Sequence, residues 1–342
     1  MKNFFDFLIY LAALPGFWII RCSPRCFMNV LAATGGFFLM WSKGFVRTSD
    51  ANLQVAFPDM DSKKRRKIIR ASGKNFILCL LEYVWASKNQ KRLDRCYLIN
   101  EAEKDKFLSR IANRERVIFV NPHMASWEGA SAIVAKYTRD FAGVAVIVKA
   151  VKNKYLDKLF NGNVRGNVKG IQVIYSTGAL RGTIKAFNEG KSLGILIDQN
   201  TKVRDGGAFV NFFGLPAPSS LAPAALAKYC LNKNIPVNVC YSMGVREDDG
   251  KIHFYTLPLS KSVTEYESDV EMIQELMDIS AREIAKRPEQ YLWSYPRFRY
   301  IPADASDELA AKYPAYAHRA SERFYSAKAY HAKKNAAADN GK

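Results

Sequence analysis

The sequence predicts an α/β protein: one domain on a central, mostly parallel or mixed sheet flanked by helices, with a hydrophobic, membrane-anchoring helix at the N-terminus. Three observations predict it. The 342 residues are 49% apolar and 24% charged, enough for one large core and too polar for a polytopic membrane protein. From residue 117 onward, short runs rich in Val and Ile alternate with helical stretches, the pattern of strands buried on both faces of a sheet. Residues 4–20 form an almost wholly apolar segment ahead of all of this.

Taken in order, segment 4–20 is broken by Asp6 and Pro15-Gly16, and a second apolar segment, 27–41, follows Arg21 and Arg25. A spanning helix needs about 20 apolar residues. The N-terminus is therefore expected to anchor as a short span or as a helix lying in the interface, with Arg21, Arg25, Lys43 and Arg47 near the headgroups. Residues 1–42 make up this anchor, 43–302 the main domain, and 303–342 an Ala-rich polar tail whose last two dozen residues are expected to fray. Asp61 caps a helix over 62–87. Its first half carries Lys63, Lys64, Arg65, Arg66, Lys67 and Arg70, and its second half is apolar. Cations in the first turns oppose the helix dipole; a solvated face and contact with lipid headgroups or an acidic carrier both remain open. The runs 117–120, 144–148, 193–197 and 237–240 read as strands. Thr264 and Glu267 form a capping box for a helix that stops before Pro288.

The chain carries 51 Lys and Arg against 32 Asp and Glu, a net charge of +19, so its partners are anionic. Residues 1–100 hold 16 basic and 6 acidic side chains, whereas the last forty hold 7 and 5. Basicity beside an apolar terminus favours a membrane surface, and no nucleic-acid partner is expected. Cys22 and Cys26 have no matching pair downstream for a zinc site; Cys79 and Cys230 sit in apolar stretches and read as core. Reduced thiols facing the cytosol fit this usage.

Several strand-like runs end in polar groups: Asn121-Pro122-His123, Lys149, Asp198-Gln199 and Tyr241-Ser242. Ligands of open α/β sheets bind beyond the carboxyl ends of the strands, so these groups are candidates to line one cleft. The sharpest local signal is His123 with Glu128. On one continuous helix the two would sit about 140° apart. With His123 in a loop after the first strand and Ser126 capping the next helix, Glu128 folds back to the imidazole. It then fixes the tautomer and leaves the other nitrogen as a base. A His and a Glu five apart also occur by chance in many proteins. His318 and His331 fall in the tail, and His253 lies in an alternating, strand-like segment. That leaves His123 as the histidine placed for chemistry. Ser126 lacks a Gly-x-Ser-x-Gly elbow, no cysteine lies beside His123, and there is no phosphate loop, dinucleotide fingerprint or metal-ligand spacing. What remains is a His base that deprotonates a hydroxyl for direct attack on an activated acyl group.

These residues carry a resemblance. His123-x4-Glu128 is similar to the His-x4-Asp/Glu motif of glycerolipid-type acyltransferases. More specifically, the chain resembles the bacterial lipid A biosynthesis acyltransferases, the late lauroyl- and myristoyl-transferring enzymes. Supporting stretches are Asn52-Leu53 with Phe57-Pro58, Glu82, Leu193 to Gln199, Gly207 to Ala217 and Tyr291 to Ser294, in family order over about residues 5–300. The resemblance implies acyl transfer from acyl carrier protein to a hydroxyl of a phosphorylated glucosamine lipid, a Kdo-bearing lipid A precursor. The site would lie on the cytoplasmic face of the bacterial inner membrane, with anionic lipid around it, no covalent acyl-enzyme, no metal and no cofactor. His123 would be the general base and Glu128 its partner. Asp198 and Gln199 would support the cleft, and Lys149 and Arg165 would hold phosphate or steady the oxyanion. The chain departs from the family in carrying Lys149 where Arg is common, which loses planar bidentate recognition. Asn211 and Ser219-Ser220 likewise replace commoner Pro and Thr. Segment 207–217 is a candidate wall of an acyl groove, or ordinary core. The rivals are a same-fold acyltransferase for a phosphatidylinositol mannoside, an aminolipid or a lysophospholipid, and a non-catalytic basic membrane-binding protein.

Overall fold

Runs such as Val117 to Val120, apolar at every position, are stable only where both faces of the sheet are covered. The computed structural model, which describes residues 2–139 and 141–321, builds such a sheet. Its seven strands run in the order β1-β9-β8-β2-β5-β3-β4. They are β1 (Tyr97–Ile99), β2 (Arg116–Asn121), β3 (Val144–Val148), β4 (Ile171–Tyr175), β5 (Ser192–Leu196), β8 (Val237–Arg246) and β9 (Ile252–Pro258). All neighbouring pairs are parallel except β8 with β9. The intervening β6 (Gly207–Phe212) and β7 (Leu215–Ser220) form a separate antiparallel hairpin. Ile118, Val120, Leu193, Val239 and Tyr241 are buried at the centre of the sheet.

Helices cover the sheet, and their ends follow the capping residues. Asp61 accepts from the Lys64 amide at 2.9 Å and opens α4 (Ser62–Ala86) after α1 (Lys2–Cys22), α2 (Arg25–Leu39) and α3 (Lys43–Ala56). The short α5 (Gln90–Cys96) and α6 (Glu101–Ala112) precede α7 (Trp127–Thr138), which packs against the sheet and is capped by Ser126. A single turn, α8 (Lys154–Asp157), widens into the π-helical stretch Lys158–Arg165; α9 (Ala179–Asn188), α10 (Ala222–Asn232) and α11 (Asp269–Lys286) follow. The expected capping box at Thr264 and Glu267 is displaced by two residues. Ser262 and Glu265 make the box, on a short 3-10 turn, and α11 begins after Ser268, whose side chain accepts from the Glu271 amide. β8 also runs six residues past its expected end at residue 240. Antiparallel pairing with β9 carries it to Arg246, opposite Ile252.

At the N-terminus, Asn3–Cys22 is by length and composition the one helix among the described residues able to cross a membrane, with mean hydropathy 1.6. Phe4, Phe5, Ile9, Trp18 and Ile19 on it are each more than half exposed. The helix is nevertheless held to the domain near both ends. Asn153 donates to the Asp6 carbonyl at 2.7 Å, and the Tyr155 ring meets Phe7 and Tyr10. At the other end Arg92 donates to the Arg21 carbonyl, and the Trp85 indole to that of Ser23, each at 2.7 Å. The second apolar segment is α2, which buries Met28, Ala32 and Gly36 against α4. A Cβ on Gly36 would lie 2.8 Å from the Lys74 backbone, so the two helices cross too closely for any side chain there. Below that crossing, buried Glu82 receives Arg25 from α2 and Arg246 from β8, each at 2.7 Å.

Between Ile301 and residue 321 the chain is structured. β10 (Tyr300–Ile301) pairs with β11 (His318–Arg319) around the single turn α12 (Asp307–Ala310). Tyr313 is buried between them and donates to the Pro216 carbonyl at 2.6 Å. The segment expected to fray, with His331, lies outside the described residues.

Candidate functional site

Parallel pairing of β2 with β5 sets Asn121 opposite Leu196. Two residues beyond each lie His123 and Asp198, and the register brings them together. The ring Nδ1 lies 2.6 Å from Asp198 Oδ1, and the His123 amide donates to Oδ2 at 2.8 Å. Asp198 is buried; His123 is partly exposed at the mouth of a cavity of about 810 Å³. The carboxylate accepts at both oxygens, which assigns the imidazole proton to Nδ1 and leaves Nε2 as the basic lone pair. Burial alone would lower the imidazole pKa. The Asp198 charge and hydrogen bond, helped by the Glu128 charge, outweigh it and hold the pKa above its ordinary value. Burial works in the opposite direction on Asp198, and its bonds to His123 overcome it, so that carboxyl is held below the usual range.

The expected pairing of Glu128 with the imidazole is corrected by the structure. Ser126 does cap α7, accepting from the Gly129 amide at 3.1 Å, and Glu128 stands in the first turn. Its carboxylate is taken by Arg165, whose Nε donates at 3.0 Å and whose Nη2 contacts the other oxygen. The Arg165 Nη1 bonds Asn161, so each guanidinium nitrogen has a protein acceptor, and one N–H on each terminal nitrogen is left for an anion. The reason is position: Glu128, in the first turn of α7, meets Arg165 at the end of the π-helical stretch, whereas Asp198 stands just past the end of the strand beside β2.

Lys149 and Gln199 both reach the cavity. Lys149 is exposed just past β3 and has no hydrogen bond or ion pair among the described residues. The Gln199 amide nitrogen lies 3.3 Å from His123 Nε2, where an incoming hydroxyl would sit. From this mouth the cavity runs as a slot between α7 and the sheet. Trp127, Ala130, Ser131 and Val134, at helical spacing, face Phe119, Val146 and Gly194 on the strands, with Phe254 also in the lining. No residue of 207–217 lines it, so the expectation of a groove wall there is corrected. The Phe213-Gly214 turn has φ of 49° and 83°, the two positive values of a tight hairpin turn.

That hairpin braces the site instead, through residues the sequence did not connect to it. Phe213 packs against Phe57 and Trp293, while Asn52 donates to the Trp293 and Tyr295 carbonyls at 2.6 and 2.7 Å. The Trp293 segment in turn grips the histidine loop. Leu292 N donates to the His123 carbonyl at 3.0 Å, and Ala125 N donates to that of Gln290 at 2.7 Å. Asn75 of α4 donates to the Ala125 and Gln290 carbonyls, each at 3.1 Å. Ala125 sits at φ 46°, a left-handed conformation that a side chain adopts only when its surroundings impose it. Asn52, Phe57, the Phe-Phe-Gly turn and the Leu-Trp block are thus one scaffold behind His123. The spacing of residues along the chain carried no sign of this.

Residues 3–300 match the family model described as bacterial lipid A biosynthesis acyltransferase. The chain is 21% identical over 265 residues to a "Lipid A biosynthesis acyltransferase" of Haemophilus influenzae, covering 75% of this chain and 78% of that one. It is 24% identical over 263 residues to a "Lipid A biosynthesis palmitoleoyltransferase" of Escherichia coli, covering 75% and 79%. Because the family match spans the histidine loop, the Asp-Gln strand end and the scaffold behind them, the chain belongs to the bacterial lipid A biosynthesis acyltransferase family.

Proposed function

We propose that the protein transfers a fatty acyl chain from acyl carrier protein to a hydroxyl of a Kdo-bearing lipid A precursor, with His123 as general base. The observation that carries this reading is the Asp198-held imidazole, its Nε2 facing the mouth of a slot with an apolar interior. The acyl chain of the thioester enters between α7 and the sheet, which sets its carbonyl near Nε2. The acceptor hydroxyl displaces the Gln199 amide, gives its proton to Nε2 and attacks the carbonyl. The tetrahedral intermediate then expels the carrier thiolate, which takes the proton from the imidazolium, and no acyl-enzyme forms. Lys149, uncommitted at the rim, neutralises a phosphate of the acceptor or the developing oxyanion. Glu128 holds Arg165 and adds negative potential to the imidazole. We place the enzyme on the cytoplasmic face of the inner membrane, held there by α1.

The test is incubation of membranes containing the protein with a tetra-acylated, Kdo-bearing precursor and a series of acyl-carrier thioesters, followed by mass spectrometry. One added chain, lost in His123→Ala, supports both the reaction and the base. Absence of transfer with every donor would remove this acceptor and turn the search to other lipids. Lys149→Ala is expected to raise KM for the phosphorylated acceptor about tenfold with kcat little changed, as for one lost charge-assisted contact.

A further inference from the structure

The first two-thirds of α4 lack any acidic residue. Between Ser62 and Leu81 there are seven Lys and Arg and no Asp or Glu. Arg65 is paired with Asp50 at 2.7 Å, and Lys64 approaches Asp61 at 3.9 Å. Lys63, Lys67, Arg70 and Lys74 are all exposed and form no ion pair among the described residues. Their spacing of i, i+4, i+7 and i+11 puts them on one stripe of the helix, about 16 Å long. Like charges at these spacings repel, and cations near a helix N-terminus oppose its dipole. Asp61 and Asp50 engage Lys64 and Arg65, so the four residues of the stripe have no carboxylate partner among the described residues.

The stripe runs beside an aromatic cluster. At the end of α2, Phe37, Phe38 and Trp41 contact one another with ring centroids 5.1–5.9 Å apart. They remain exposed by 44%, 52% and 69%, large values for side chains that a soluble surface rarely groups together. Arg70 of the stripe lies 5.7 Å above the Phe37 ring, joining the two features. Trp beside Lys and Arg is the composition of a membrane–water interface, where the rings enter the headgroup layer and the cations meet lipid phosphates. An acidic protein partner would account for the cations but not for the clustered rings.

We propose that the Lys63–Lys67–Arg70–Lys74 stripe and the Phe37–Phe38–Trp41 cluster form a docking surface for an anionic bilayer, distinct from the apolar anchor α1. The proposal concerns binding alone and stands whether or not the acyl-transfer reading does. The full-length protein is floated with phosphatidylcholine vesicles, with and without phosphatidylglycerol. The fourfold variant K63Q/K67Q/R70Q/K74Q is compared with wild type across a salt series. At about fivefold per basic residue, and less where salt screens it, preference for the phosphatidylglycerol vesicles should fall about a hundredfold. Binding to pure phosphatidylcholine, carried by α1, should stay. F38S/W41S should weaken binding to both vesicles. The fourfold variant should melt no lower than wild type, because repulsion is removed; a lower melting temperature would mark the stripe as structural. Unchanged discrimination between vesicles would overturn the proposal. So would vesicle binding that persists while affinity for an acidic acyl carrier is lost, which assigns the stripe to the carrier.

Discussion

At His123 two properties of one carboxylate pull against each other. Asp198 orients the ring and sharpens its basicity, yet by raising the pKa it keeps the imidazole protonated to higher pH, where it cannot accept a proton. The acid limb of kcat/KM should therefore lie above the ordinary imidazole value of about 6.5. Asp198→Asn should move that limb to lower pH while reducing kcat, and a pH–rate profile of the two proteins checks it. Linkage gives the pair a stability window. The raised His123 pKa stabilises below about 6.5, and this is lost as pH rises through the folded value; the lowered Asp198 pKa stabilises above about 4, and this is lost as pH falls. Activity should thus grow as this contribution fades, visible when denaturation and turnover are followed over one pH series. His123→Ala should cost about 10²–10⁴ in kcat and lower the melting temperature, because it leaves the buried Asp198 carboxyl without the ring that holds it. The sequence alone put His123 and Asp198 beyond the ends of strands, because Val- and Ile-rich runs mark strands locally. It named the wrong partner for the ring, because that choice depends on a register between residues 75 positions apart.

Elements were legible in proportion to how local their causes are. Asp61 and Ser126 act on amides three residues away, and both helix starts follow the sequence. β8 outran its expected end because its far half is stabilised by β9; the alternation around His253 marked that strand but not its place beside β8. The 207–217 stretch is a hairpin that buttresses Trp293 and not a cavity wall; its composition suits either place, and only packing separates them. The slot beside α7 offers a sharper test of element geometry. Gly194 on β5 faces it, and an added Cβ would meet Val146 at 3.5 Å, an ordinary contact. Gly194→Val should therefore fold and fill the slot. Selection should shift to shorter thioester donors, each excluded methylene counting about 0.8 kcal/mol, or roughly fourfold, in donor competition read by mass spectrometry.

At the scale of the whole molecule, the apolar N-terminus is not an appendage. α2 is core, α1 is pinned near both ends, and Glu82 joins the helical layer to the sheet through Arg25 and Arg246. Glu82→Ala leaves two cations facing a buried gap and should cost about 3 kcal/mol in chemical denaturation, with Glu82→Gln intermediate. Composition and charge announced an amphiphilic, basic N-terminal third; they carried no sign that it is bolted to the sheet, since that depends on an ion pair spanning more than 160 positions. The bolt has a mechanical meaning. A flexible tether would let the catalytic mouth wander through the water above a bilayer, sampling hydroxyls at every height. On the membrane siting proposed above, a rigid mount would work as a depth stop: the mouth would ride at one elevation, and the search for an acceptor would become a walk in two dimensions among lipids whose hydroxyl lies at that level.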